Sequence, residues 1–387
     1  MDPLGGCVAG ALRRGPGFTV ILLAVPALTA AVYYLLALVA ALRWGHPPGS
    51  AQGDLPPVSI LKPMHGTAAR LYAAIRSYAA QDYPEFELLF GAGDAEDPAL
   101  KEVDRLRQEF PSLLIRVVIK KPDAPNQKAS VLAAMAAQAS HGLLVVSDDD
   151  IVAGPDYLRS VVAPFRDPST GLVTCLYRAH AESLAALAEA LGIATEFAPS
   201  VMVARMLGVV EFALGSTIAL RSSILREIGG FEAVAGYLAD DYQLGRRVAG
   251  QGYRVEFAAA VVETGEGQAS WRGVWRHQVR WSRTIRVSRP GGYYGSLITQ
   301  ATIWALVAFA GRQWWAGAAA LALRMAAGMA AGSLVLRDRQ VRRWFWLVPV
   351  RDLFGFAVWL GGCFGSTVHW RGRKLRLDRD GRIGASR

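Results

Sequence analysis

Residues Leu143 to Val146 are four aliphatic residues in a row, and after Ser147 come three consecutive carboxylates, Asp148, Asp149 and Asp150. Such a run is too short for a helix and is stopped by charge, which predicts a buried strand whose C-terminal end is acidic. Open α/β sheets bind their ligands at that end of the strands. Side chains alternate along an extended backbone, so Asp148 and Asp150 can reach toward one point while Asp149 faces away. Two carboxylates aimed at one point repel unless a cation lies between them. A hard divalent ion such as Mg²⁺ or Mn²⁺ fills that place with few protein ligands, taking the others from water and phosphates. The plainer readings are a solvated acidic turn or an aspartate cap on a helix beginning near Pro155.

The chain has 387 residues and a formal charge of +10, enough material for a core without disulfides. Its three cysteines, Cys7, Cys175 and Cys363, have no paired spacing and sit among apolar neighbours, which speaks against a zinc site. Phe18 to Leu42 carries no charge over a length that spans a bilayer and lacks a cleavage flank, so a retained anchor is expected within residues 1–44. A second apolar block, 291–370, offers spans near 293–311, 314–336 and 345–367, and a basic tail, 371–387, follows. Arg324, Arg351 and Asp352 fall inside these spans, where ionisable groups face protein or a polar cavity, and Pro349 is a candidate break. Arg337, Arg339, Arg342 and Arg343 mark one cytoplasmic loop, yet the tail from Arg371 to Arg376 is equally basic. Both cannot lie inside if all three segments cross fully, so one is expected to be re-entrant or interfacial.

Between these blocks, residues 45–290 begin with turn and linker material and continue as strands alternating with helices. Strands are expected at Val58–Leu61, Glu87–Phe90 and Ile115–Ile119, with helices between them and over Lys128–Ala139, the pattern of a parallel sheet covered on both faces. Lys62 and Asp94 follow the first two strands; read singly, one is a surface cation and the other a turn residue. Leu184 to Leu207 reads as a long apolar helix, core by default. Glu211 to Leu220 reads as a strand interrupted by Gly215-Ser216, and Asp240-Asp241 stand where a loop becomes a helix, one placed to cap it. Trp271 to Arg283 is dense in cations and indoles, as an interfacial belt is.

Val58-Ser59-Ile60-Leu61-Lys62-Pro63 with Gly66, Gln81-Asp82-Tyr83-Pro84, Asp94 with Asp97-Pro98-Ala99, Asn126 with Lys128, Asp148, Gly215-Ser216, Asp240-Asp241-Tyr242, Arg280-Trp281 and Trp370-Arg371-Gly372-Arg373 occur in this order. The set resembles the ceramide glucosyltransferase family and its bacterial relatives, including the hopanoid-biosynthesis-associated glycosyltransferases. The resemblance implies an α/β, GT-A type nucleotide-diphosphosugar transferase domain flanked by transmembrane helices, at the cytoplasmic face of a membrane, the bacterial inner membrane. It implies a UDP-sugar donor and a membrane lipid acceptor. In that picture Asp94 contacts the uridine, Lys62, Gly215 and Asp240 line the donor site, Asp148 and Asp150 meet the diphosphate through a metal, Asp241 is the catalytic base, and Arg280-Trp281 close over the diphosphate. The family's last motif has Gln or Arg three positions before Arg-Trp; here His277 holds that place and Gln278 the next.

One base without a second carboxylate nucleophile predicts a single inverting displacement. The sequence does not separate glucose from N-acetylglucosamine, nor ceramide from hopanoid acceptors. A processive polysaccharide synthase would need a continuous channel, for which the charge-interrupted spans are poorly suited. A non-catalytic lipid-binding membrane module would leave the acidic strand ends without a purpose. Nucleic acid is not expected as a partner, because the cations gather beside membrane segments and the strand ends are acidic.

Overall fold

The computed structural model describes residues 23–45, 55–67, 70–370 and 372–384. The expected linker over 46–54, the start of the first apolar segment, Cys7 and Arg371 lie outside them. Strand β1 (Val58–Pro63) is buried along its whole length, because it carries apolar side chains to both faces. Val58 and Ile60 join one core, and Leu61 joins the other. Strands β2 (Phe86–Ala92), β3 (Ile115–Ile119) and β4 (Leu143–Val146) extend it in the order β3-β2-β1-β4, all parallel. Helices α1 (Ala24–Leu42), α2 (Leu71–Ala79), α3 (Ala99–Glu109) and α4 (Gln127–Gln138) complete the first half. Of these, α2 and α3 cover one face, and α4 covers the other.

The parallel sheet expected from the alternation of strands and helices is present in β1 to β4, and beyond β4 the sheet becomes mixed. The next neighbour is β7 (Ile218–Arg221), antiparallel to β4 and to β6 (Thr170–Ala181). Beyond β6 lie β8 (Arg254–Gly267), parallel to β6, and the short β5 (Ile151–Val152), antiparallel to β8. The reversal has a local cause. The stretch Glu211–Leu220 is not one interrupted strand: Leu214 and Thr217 bridge across a tight turn, and only Ile218–Arg221 enters the sheet. Helices α5 (Tyr157–Val162), α6 (Leu184–Gly192), α7 (Ala198–Met206), α8 (Ser222–Glu227) and α9 (Asp240–Gly250) belong to this second half. A π-turn, Ile193–Phe197, joins α6 to α7 into one run that is mostly enclosed by protein, as expected of a core helix.

The remaining helices are α10 (Trp271–Ser288), α11 (Pro290–Gly295), α12 (Ala301–Ala310), α13 (Trp314–Ala330), α14 (Arg339–Trp344) and α15 (Val348–Cys363). Among the described residues four helical runs, 24–42, 184–206, 314–335 and 339–363, are long and apolar enough to cross a membrane. The expected span 293–311 is broken, with ten residues of it forming α12. Pro349 lies in the first turn of α15, where a proline needs no amide partner, so it starts that helix instead of breaking it.

The packing resolves the conflict between the two basic segments. The N-terminal end of α1 meets the α12–α13 turn, where Leu23 lies against Gly311, while Trp44 beyond its C-terminal end packs on Phe257 of β8. Thus α12 and α13 form a hairpin that leaves and rejoins the side of the large sheet. The loop after α13 docks on β6: Arg178 donates to the Leu336 carbonyl at 3.1 Å and Gln340 to the Ala179 carbonyl at 2.8 Å. Helix α15 then lies along α10, and Arg283 donates to the Phe364 and Thr367 carbonyls beyond its C-terminus. The chain ends in a small antiparallel sheet of β9 (Thr367–Trp370), β10 (Arg373–Leu377) and β11 (Ile383–Gly384), and the Ile383 amide donates to Gly236 O at 2.8 Å. Both ends of α15 therefore sit against the α/β domain, and both basic segments share its side.

The charges inside the apolar helices are partnered with one another. Arg324 donates to both Asp352 oxygens, at 2.7 and 3.1 Å, and to the Thr195 carbonyl at 2.7 Å, while Thr302 donates to Asp352 at 2.6 Å. Arg351 pairs with Glu196. In a background lacking the three native cysteines, single cysteines at Arg343 and Arg379 are expected to react with an impermeant maleimide from the same face of sealed vesicles. Labelling from opposite faces would contradict this topology.

Candidate active site

The carboxylates gather because three local choices bring their loops together. Asn126 caps α4, its Oδ1 accepting from the Ala129 amide at 3.1 Å, and its Nδ2 donates to the Tyr237 carbonyl at 2.8 Å. This sets Lys128 in the first helical turn and ties α4 to the loop before α9. Gly245 provides the second contact, since a Cβ there would stand 2.5 Å from the backbone carbonyl carbon of Phe212. Helix α9 can therefore abut the 212–217 loop, and Asp241, one turn earlier on the same face, comes to Gly215. The third is Gly215 itself. A Cβ on it would lie 3.2 Å from Asp241 Oδ2 and 3.6 Å from Asp148 Oδ2, so both acids converge on this glycine.

Lys128 supplies the balancing charge. Its ammonium lies 2.5 Å from Asp148 Oδ1 and 3.9 Å from Asp240 Oδ2. Burial opposes its charge, but the Asp148 and Asp240 carboxylates outweigh that and hold the ammonium above its usual range. Burial, followed by the neighbouring Asp240 carboxylate, pushes Asp241 up to about 6 against the pull of Lys128. Asp241 Oδ1 accepts from the Tyr242 amide at 2.7 Å. Neither aspartate takes the N-cap position of α9, which Ala239 holds; both sit in its first turn, where the helix dipole favours negative charge.

Asp150 belongs to the same loop and accepts from Thr264 Oγ1 at 2.5 Å, with burial and then Asp148 raising its carboxyl. Asp149 turns the other way, as alternation predicts, and accepts from the His65 amide at 3.0 Å. Lys62 does not reach the surface as a cation after β1 was expected to. It is fully buried, lies 3.8 Å over the Tyr78 ring and donates to the Asp148 carbonyl at 2.7 Å. Burial lowers it to about 8, although all three aspartates of the loop resist this. Beneath the loop, Tyr78 and Ser147 share a 2.6 Å hydrogen bond, and Thr174 donates to the Thr217 carbonyl at 2.8 Å while accepting from the Leu214 amide. Both acidic walls thus rest on buried hydrogen bonds.

Asp94 stands exposed after β2, at the same edge of the sheet, its Oδ1 accepting from the Glu96 amide at 3.0 Å. On α10, His277 Nδ1 pairs with Glu189 Oε1 at 2.8 Å and its ring lies 4.5 Å from that of Trp281, so both face α6. Gln278 is buried, and Arg280 lines a cavity that contains none of the aspartates. Lys128 received no role from its spacing in the sequence. Its position two residues after Asn126, the pair that the family resemblance also carries, was the local signal.

Among the described residues no group of three or more His, Cys, Asp or Glu side chains surrounds a common point. An ion held by one or two carboxylates and a substrate diphosphate does not need one. Asp240 Oδ2 is buried without a hydrogen-bond partner, and Asp148 Oδ2 points to the cleft beside Gly215, so the acids have coordinating capacity to spare.

A sequence profile described as glycosyl transferase family 21 matches residues 20–383. The chain belongs to this family. The transferase is 28% identical over 201 residues to ceramide glucosyltransferase 1 of Caenorhabditis elegans, covering 51% of this chain and 43% of that protein. It is 24% identical over 237 residues to the probable glycosyltransferase YdaM of Bacillus subtilis (strain 168), covering 59% and 55%. The chain spans less than half the length of the ceramide glucosyltransferases it matches. Its fold is similar to that of the mannosyltransferase PcManGT from Pyrobaculum calidifontis, solved in complex with GDP-Man and Mn²⁺, with 20% identity and a TM-score of 0.54 over 89% of this chain and 99% of that one. The chain therefore has the GT-A architecture, a mixed sheet with its acids at the strand ends.

Gly215→Ala is the sharpest test of this cleft. The backbone of Gly215 suits alanine, so the fold should persist, but the carboxylates must shift by a few tenths of an ångström. Transfer by the variant is expected to fall by about 10²-fold with an unchanged melting temperature.

Proposed function

We propose that the transferase moves glucose or N-acetylglucosamine from a UDP-sugar to the hydroxyl of a membrane lipid, of ceramide or hopanoid type, with inversion. The observation carrying this reading is the convergence of Asp148 and Asp241 on Gly215, at strand ends flanked by long apolar helices. Relatives named ceramide glucosyltransferases support the choice of donor and acceptor. Residues 45–290 would be the catalytic domain, held at the cytoplasmic face of a bacterial inner membrane by 1–44 and 291–370.

Sugar transfer needs a stabilised leaving diphosphate, an activated hydroxyl and a dry site. Asp148, with Asp150, would hold Mg²⁺ or Mn²⁺, which when bound neutralises charge on the departing diphosphate. Asp241 accepts the proton of the lipid hydroxyl as the anomeric carbon is attacked from the face opposite the diphosphate. Its raised affinity for protons suits a base working near neutrality. Lys128 holds Asp148 in place and keeps Asp240 and Asp241 from repelling it out of the cleft. Asp94 takes the uridine part. Lys62 acts from beneath, fixing the backbone of the acidic loop.

Purified full-length chain incubated with radiolabelled UDP-glucose or UDP-N-acetylglucosamine and a total lipid extract should yield one labelled lipid. Absence of transfer from either donor, or growth of a polymer, would overturn the reading. Asp241→Asn is expected to lower turnover by about 10² to 10⁴ while UDP still binds. Because the base must be ionised, the wild-type rate should fall as the pH drops below about 6. An acid limb unaltered by the substitution would assign that titration to another group.

A further inference from the structure

Helix α10 has two differently charged sides. His277 and Trp281 turn inward to α6, whereas Arg272, Arg276, Arg280 and Arg283 line a cavity of about 340 Å³ between α10 and β9. The arginines recur at a spacing of three or four residues, so they form one stripe of the helix. Trp275 and His369 complete the wall, and no carboxylate lines it. Arg283 is engaged by backbone carbonyls beyond α15. Arg272 and Arg276 are exposed and have no hydrogen-bond or ion-pair partner among the described residues. Arg272 and Arg276 thus offer two open guanidinium groups at a cavity with no carboxylate in its wall, a setting that favours an anion with several oxygens.

The surroundings indicate what carries that anion. The rings of Trp271 and Trp275 lie within 6.0 Å of that of Phe354 on α15, and Leu360 of that helix and Phe364 just beyond it are exposed. Indoles and aliphatic side chains beside arginine are the composition of a membrane interface, and basic pockets among membrane helices take anionic lipid headgroups. Helix α15 packs along α10 beside this cavity.

We propose that this cavity binds the phosphate headgroup of an anionic phospholipid, a site distinct from the acidic cleft and from the sugar acceptor. Arg272 and Arg276 form the outer contacts, and Arg280 and Arg283 close the inner end. A lipid held there fixes α10, and with it Trp281, against the bilayer. The inference does not depend on which sugar is transferred, and its test reads binding alone.

Titration calorimetry on detergent-solubilised full-length chain would use dioctanoyl phosphatidylglycerol, dioctanoyl phosphatidylcholine, inorganic phosphate and UDP as probes. Phosphatidylglycerol should bind saturably and weaken with salt, and zwitterionic phosphatidylcholine should bind about tenfold or more weakly. Arg272→Gln/Arg276→Gln should lose phosphatidylglycerol affinity by about tenfold or more, while Arg105→Gln on α3 should bind as the wild type does. The two arginines leave no partner unpaired, so the double variant should fold; if it does not, each single substitution must show part of the loss. Equal binding of the two lipids, or a variant that binds phosphatidylglycerol unchanged, would overturn the proposal. Displacement of the lipid by inorganic phosphate at equal affinity would reassign the cavity to soluble phosphate, and displacement by UDP would reassign it to the donor. Asp241→Asn should retain lipid binding, which separates failure of this site from failure of the transfer chemistry.

Discussion

Four carboxylates share one end of the sheet, and two lysine ammonium groups make that arrangement tolerable. Lys128 bridges Asp148 and Asp240 from α4, and Lys62 holds the Asp148 backbone from below. Removing either would leave like charges facing one another across a partly enclosed cleft, where screening by water is weak. The two cations differ in consequence. Lys128 touches carboxylate oxygens and shapes the charge of the cleft, whereas Lys62 grips a peptide carbonyl and shapes the path of the loop. The strand order serves the same end, because β1 and β4 are neighbours and carry Lys62 and Asp148 out of the sheet side by side.

Much of this was legible in the sequence. The aliphatic run into Asp148 gave away a central strand, a charge-free stretch marked α1 and an apolar one marked α13, because burial on both faces and long apolar helices each leave a compositional trace. Several conspicuous motifs proved to be scaffold. Gln81 is one: its amide donates to Ser77 O and Gly154 O and accepts from the Leu158 amide, so it splices α2 to α5. Asp97 likewise accepts from Gly66 and Ala99 amides. Tyr83 donates to Pro56 O at 2.6 Å. A polar side chain that saturates backbone groups looks the same in sequence as one that meets a ligand.

What the sequence concealed were contacts between segments far apart in the chain. The role of Gly245 depends on Phe212, and that of Gly215 on two aspartates from different elements, so neither glycine differs locally from a turn glycine. The antiparallel entry of β7 follows from a turn of two residues. The partners of Arg324 come from the π-turn after α6 and from α15, which no window of sequence holds together. Ionisable residues in apolar helices could be recognised as paired, but not with whom.

The small terminal sheet has a temporal side. Tyr237 bridges to Arg382 and Gly236 accepts from Ile383, so the loop leading into Asp240 is braced by residues translated some hundred and forty positions later. Every apolar helix has left the ribosome before that brace exists. Until then the acids of the cleft sit on a loop held from one side only, by Asn126 of the first half of the sheet, and β11 supplies the second hold.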